Sequence, residues 1–315
     1  MNKKHWIIPL AITGFSIHLF NNRLFNNAKE KIQHKEKNYK AYAWKFGTIH
    51  YRQTGSGSPL LLIHDTFSGA SSVEYERIIQ QLSKKHEVFA LDLLGFGFSE
   101  KANITYTGYL YVQLIHDFIV EVIRQTHVDI ITSGNSHIFA LFASYQTNDL
   151  IRKCIMISPP GLDKIALNPS KKNYTLKYLL ESPYIGTTLY NLLNSQFMFN
   201  RQFGVSDKPM NKVLLPYIEQ FYYNAHNEDS RIRYAYASSI CNYLNLDLRN
   251  ILDKSDHCLY IINGSQRDDD IKALEVQYTH INPSIECATI KHSTNFPHIE
   301  NPYATCDTIE LFLHD

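Results

Sequence analysis

Short apolar segments, each about the length of a buried strand, recur along this chain with helix-like stretches between them, and no other feature limits its fold so strongly. "PLLLIH" (59–64), "EVFALD" (87–92), "VDIITS", "KCIMISP", "CLYIING" (258–264) and "ECATIK" (286–291) read as strands buried on both faces. Between them, "SSVEYERIIQQLSKK" is amphipathic. Leu110, Leu114, Phe118 and Val122, with Ile115, Ile119 and Ile123, form one apolar stripe that predicts a helix over 110–126. Further helices are expected over 137–148, near 272–281 and from Tyr303 to the end. Strands and helices in alternation predict an α/β fold: a mostly parallel, doubly wound sheet with helices on both faces. "AYAWKF" and "GTIHYRQTG", ahead of the first buried strand, suit an antiparallel hairpin at the sheet edge. Residues 161–252 break the alternation. They are rich in Tyr, Phe, Asn and Leu, read as several helices, and are expected to form an inserted cap over a core of 41–160 and 253–315.

The 315 residues, 44% hydrophobic and 13% aromatic, suffice for one large core with a smaller appended module. Thirty-one Lys and Arg against thirty Asp and Glu make no field to attract nucleic acid, which is excluded as a partner. The scattered cysteines Cys154, Cys241, Cys258, Cys287 and Cys306 have no CxxC spacing and suggest neither a disulfide framework nor a zinc site. Without a metal-ligand cluster or a phosphate-binding loop, no cofactor is expected.

The N-terminus carries its own signal. Lys3 and Lys4 precede an apolar run over residues 6–20, followed by Asn21, Asn22 and Arg23. Fifteen residues of helix reach about 22 Å, against roughly 30 Å of hydrocarbon, and no small-residue cleavage site follows. The run therefore predicts an uncleaved membrane anchor over residues 1–25, with residues 26–40 as a charged linker. Lys and Arg beyond the run outnumber those before it, which would leave the large domain in the cytoplasm.

The segment richest in chemistry is "TSGNSHIFA". A strand that turns sharply into a helix holds its corner residue under strain with the side chain exposed, and Ser136 is the natural nucleophile there. This strand-GNS-helix pattern, together with "LLLIHD" and "ALDLLGFGFSEK", resembles the cap-bearing branch of the α/β-hydrolase family, and the resemblance covers residues from about 40 to 315. It implies a Ser, acid, His order along the chain. The acid would follow "CLYIING", where Asp268 is the choice, with Asp269 or Asp270 as substitutes. The oxyanion donors would be the backbone N–H groups of Thr66 and His137.

The chain departs from the family at several points. Asp65 stands where a glycine usually follows the strand histidine, Ile138 replaces a small residue of the elbow, and in "KHSTNFPHIENP" Asn295 holds the place of the catalytic histidine. Loss of that base typically costs on the order of a millionfold in turnover, so a substitute is required, and His292 is the candidate. His298 is expected to pack or cap. Two functions follow. One is a membrane-anchored, esterase-like serine hydrolase acting on an apolar small molecule through Ser136, Asp268 and His292. The other is a pseudohydrolase that binds a lipid-like ligand or a partner in the retained pocket.

Overall fold

The computed structural model describes residues 4–147, 149–183, 185–203, 212–227, 230–255 and 257–314. One eight-stranded sheet runs through it, built from β1 (Lys40–Trp44), β2 (Gly47–Thr54), β3 (Ser58–Ile63), β4 (His86–Leu91), β5 (Val128–Ser133), β6 (Ile151–Ile157), β7 (Cys258–Gly264) and β8 (Glu286–Ile290). The spatial order is β1-β2-β4-β3-β5-β6-β7-β8. The strand β2, second from the β1 edge, pairs antiparallel with both β1 and β4, and the pairings from β4 through β8 are parallel. The hairpin and the parallel sheet both follow the sequence pattern.

Alternate residues of each central strand divide between two apolar layers. Leu61, Ile63, Ile130, Met156 and Ile261 face one, while Leu60, Leu62, Ile131, Ile155 and Ile262 face the other. Each fully buried aliphatic side chain contributes about 1.5–3 kcal/mol of transfer free energy. That gain holds the middle of the sheet in place, and the site grows from its strand ends.

The helices in chain order are α1 (Lys4–Ile32), α2 (Glu76–Leu82), α3 (Gly108–Phe118) and α4 (His137–Gln146). Between β6 and β7 lie α5 (Leu162–Ile165), α6 (Lys171–Glu181), α7 (Ile185–Leu193), α8 (Gln196–Gln202), α9 (Leu215–Ala225), α10 (Ile232–Ile240) and α11 (Arg249–Asp253). The chain ends with α12 (Ile271–Thr279), α13 (Pro297–Glu300) and α14 (Pro302–His314). The Thr107 side chain caps α3 by accepting from Leu110 N at 3.2 Å. Instead of running to residue 126, α3 widens into a π turn over Ile119–Ile123 and stops at Arg124, whose φ of 57° is left-handed. The β-branched run of "IVEVI" crowds a regular helical turn, and the stop frees the chain to enter β5.

The N-terminus corrects the sequence reading. Met1–Lys3 lie outside the described residues, and no helix among the described residues is long and apolar enough to cross a membrane. Residues 26–40 are not a linker: α1 continues unbroken to Ile32, and a 3-10 stretch over Gln33–Asn38 leads into β1. The second half of α1 is docked on the cap. Asn21 Nδ2 donates to Thr188 Oγ1 (3.2 Å), Asn191 Nδ2 donates to Asn21 Oδ1 (2.8 Å), and Phe25 packs with Tyr190 and Ile232. Asn21, Phe25, Ala28 and Ile32 are all buried.

Phe25→Ala should lower the unfolding free energy of the full-length chain by about 3 kcal/mol, the cost of emptying a buried aromatic site. Denaturant titration of the two proteins measures it, and a loss under about 0.5 kcal/mol would mean that α1 is not held against the cap.

Candidate functional site

At the end of β5 the chain passes through one 3-10 turn, Gly134–Ser136, and enters α4. The corner residue is Gly134, with φ of 54°. Ser136, expected at that corner, lies two residues further on with an ordinary helical φ of −68° and ψ of −16°. It is buried. Its single hydroxyl proton is shared between the carbonyls of Ser133 (2.8 Å) and Ile63 (2.9 Å), and its oxygen accepts from Ser133 N (3.2 Å). The serine is thus a main-chain brace between β3 and β5, not an exposed nucleophile. "TSGNS" contains a G-x-S pattern, but glycine is the residue that adopts a positive φ without steric cost, so the strained corner falls on it.

The space above Gly134 is filled from the neighbouring loop. A Cβ on Gly134 would lie 2.1 Å from Cγ of Asp65, so the Asp65 carboxylate stands where an elbow side chain would project. Its Oδ1 accepts from Thr66 N at 2.7 Å and from Asn135 N at 2.8 Å. Two backbone donors converging on one oxygen from the loop after β3 and the turn after β5 make the geometry of an oxyanion hole. Asp65 supplies the anion itself. Thr66 N is one of the donors expected from the sequence, while the second is Asn135 N, not His137 N, because the corner sits two residues earlier.

The loop is fixed from behind. His64 Nε2 accepts from Leu93 N (2.9 Å), which leaves Nδ1 protonated and donating to Asp65 O (2.5 Å). Beneath lies the buried Glu74. Burial pushes its carboxyl well above the usual range, and the nearby Asp65 charge adds to the shift. Burial also raises the Asp65 pKa, against the opposing pull of the Asn135 and Thr66 amides and of Arg267.

Arg267, not Asp268, turns toward the site from the loop after β7. Its Nη1 donates to Asn263 Oδ1 (2.7 Å), and its Nη2 donates to Asp269 Oδ2 (2.9 Å) and Pro159 O (3.2 Å). Asp268 is exposed and lines no part of the cavity, and Asp270 caps α12 by accepting from Ala273 N (3.1 Å). His292 is exposed at a φ of 58°, with its backbone N on Ser265 Oγ, and is likewise absent from the cavity wall. Asn295 does line it. His298 is buried between the Tyr75 and Phe296 rings, and burial lowers its pKa to about 3. His137 is buried as well, with its pKa lowered to about 4. It is therefore neutral, with Nδ1 donating to Gly134 O (2.8 Å) and Nε2 facing the Tyr278 hydroxyl (3.0 Å). Ile138 needs no special room, since it is fully buried in the core below α4.

Gly134, Asp65, Arg267 and Asn295 share a cavity of about 240 Å³ with Ser133, Asn135, Ser158 and the rings of Phe67, Phe203 and Phe296. Among the described residues no group of His, Cys, Asp and Glu is placed to hold a metal ion. Asp65 as occupant of the donor pair and the aromatic wall both escaped the sequence reading. A countable signal did exist for the first. In "TSGNS" two serines and one glycine compete for the corner, and reading the corner on the glycine would have put Asn135 N beside Thr66 N.

Because Asp65 titrates above its unfolded range, the folded chain holds the extra proton between the two values. Stability from this group therefore falls as pH rises through that window and is unaffected below it. Asp65→Asn keeps the acceptor oxygen and removes the charge. It should melt a few degrees above wild type at pH 7–8, for a gain on the order of 1 kcal/mol, and the gap should close toward pH 4. Melting curves across pH check this, and an equal or lower melting temperature at pH 8 contradicts it.

No protein-family model matches the chain. It is 30% identical over 142 residues to a 2-hydroxy-6-oxo-6-(2'-aminophenyl)hexa-2,4-dienoic acid hydrolase of Metapseudomonas resinovorans, over 43% of this chain and 48% of that relative. The chain thus spans about half the length of that curated relative. Among solved structures it is similar to a serine hydrolase involved in carbazole degradation (TM-score 0.69, 19% identity, 88% of this chain and 98% of that one). An esterase from Thermogutta terrifontis superposes with a TM-score of 0.70 at 13% identity, over 88% of this chain and 98% of that one. A membrane phospholipase A described as a bacterial virulence factor covers 98% of this chain and 96% of its own at a TM-score of 0.65 and 18% identity. By sheet order, elbow and neighbours alike, the chain is an α/β-hydrolase-fold protein.

Proposed function

We propose that this hydrolase-fold chain binds a small molecule at its strand ends without carrying out covalent catalysis there. One observation carries the reading: the Asp65 carboxylate occupies both the projection of the elbow side chain and the paired N–H groups of Thr66 and Asn135. Acyl transfer needs a nucleophile at the corner, a base beside it and an open donor pair for the developing oxyanion. Here the corner is a glycine, the cavity wall offers the amide of Asn295 and the cation of Arg267, and the donors already hold an anion. The serine mechanism through Ser136, His292 and Asp268 would need Ser136 to leave three main-chain hydrogen bonds and His292 to turn in from solvent.

The ligand is a small organic molecule with an apolar part, a size set by the cavity and a character set by Phe67, Phe203 and Phe296. Support for a membrane role comes from the sequence of α1. Its apolar run over 6–20 is too short for a span but suits a helix lying at a lipid surface while its second half holds the cap.

Full-length protein treated with a fluorophosphonate probe should show no labelling, and Asn295→His alone should create none, since residue 134 has no side chain to attack. Labelling of wild type that maps to Ser136 and disappears in Ser136→Ala would overturn the non-catalytic reading. For the membrane role, the full chain should co-sediment with liposomes and be released by high pH. Protein that stays in the supernatant at every lipid concentration removes it.

A further inference from the structure

The cavity is not chemically neutral, and its walls say what kind of molecule suits it. On one side stands the Asp65 carboxylate, held by two backbone amides but drawn out of bulk water, with the buried Glu74 behind it. On the other side are phenyl rings from three separate elements. Phe67 follows β3, Phe203 closes α8, and Phe296 precedes α13. Their centroids lie 5.6 Å (Phe67–Phe203), 5.9 Å (Phe67–Phe296) and 5.8 Å (Phe203–Phe296) apart. The remaining charged groups on the wall, Arg267 and Asp269, are bound to each other at 2.9 Å. Asp269 also meets Lys164 at 3.7 Å, outside the cavity wall, so the lining itself carries two carboxylates against one guanidinium. Ser158 also lines the space. It is 7% exposed, and its hydroxyl is buried without a hydrogen-bond partner.

An anionic guest would meet the Asp65 charge head-on, and a neutral one would leave it poorly solvated. A cation next to a half-buried carboxylate replaces the lost hydration, and phenyl rings stabilise it further through their electron-rich faces. We infer that the cavity binds an organic cation, an ammonium group on a small apolar or aromatic body, with Asp65 as counter-ion and the packed Phe67, Phe203 and Phe296 rings as the wall beside it. This rests on the reading of the cavity as a binding site and adds the class of ligand. The roughly 240 Å³ of space admits one such molecule of arylalkylamine size.

Three probes of similar shape separate the possibilities: 2-phenylethylammonium, 2-phenylethanol and 3-phenylpropanoate, each titrated calorimetrically into full-length wild type, Asp65→Asn and Phe203→Leu. Wild type should bind the ammonium at least tenfold more tightly than the alcohol and leave the carboxylate unbound. Asp65→Asn, whose amide keeps the two backbone hydrogen bonds, should lose tenfold or more for the ammonium and little for the alcohol. Phe203→Leu should weaken the ammonium more than the alcohol. Equal affinity for ammonium and alcohol in wild type, or ammonium binding indifferent to Asp65→Asn, overturns the inference. Binding of the alcohol or carboxylate in preference to the ammonium also overturns it while leaving a binding cavity. Failure of all three probes overturns it together with that cavity reading, and the fluorophosphonate result reports on catalysis separately.

Discussion

The carboxylate of Asp65 in the grip of two backbone amides is the contact around which the strand ends are arranged. It fits only because residue 134 has no side chain: any Cβ there would collide with it, and any serine would need Asp65 to withdraw. The His64 ring, bonded on both nitrogens, fixes the loop that presents it, and the donors themselves come from two strands joined by the parallel β3–β5 ladder. Glycine at the corner and aspartate in the loop are therefore one solution, not two independent losses. A charge placed where a transition state would otherwise develop charge uses the fold's own electrostatics to hold a ground-state group.

Much of the architecture was legible because burial on both faces leaves a mark that does not depend on register. Segments such as "PLLLIH" and "CLYIING" are apolar throughout, so an error of one residue changes nothing in their assignment. The elbow is different. A shift of two residues in "TSGNS" moves the corner from serine to glycine, and local sequence permits either; the decision comes from the close approach of Asp65 across β3 and β5, a contact spanning 70 positions. Asp268 failed for the same reason, since the loop after β7 had several acids but Arg267 was the residue turned inward. Asp65 itself was legible as a departure from the family's usual glycine. Its capture of both donors was invisible without coordinates.

The N-terminal segment was legible only in part. Its apolar run and lysine flanks are a membrane signal by composition, yet Asn21, Phe25, Ala28 and Ile32 recur at helical spacing beyond the run and are buried on the cap. The linker assigned to 26–40 rested on charge alone, and a charged helix face with a buried opposite face looks the same in composition. The aromatic wall of the cavity was equally hidden. Phe67, Phe203 and Phe296 stand far apart in sequence and meet only when the cap closes over the sheet.

The docking of α1 has a mechanical side. Phe25 and Asn21 press on α7, where Tyr190 sits between them and the sheet; the Tyr190 hydroxyl donates to Ala225 O of α9 and receives the Ser68 hydroxyl at 3.2 Å. Ser68 lies three residues along the loop from Asp65. A line of contacts thus runs from the amino-terminal helix through one tyrosine to Ser68, in the loop that presents Asp65 to the cavity. The helix that carries the amino-terminal apolar run and the loop that carries the Asp65 carboxylate are therefore two contacts apart, though 40 residues separate Phe25 from Asp65 in the chain.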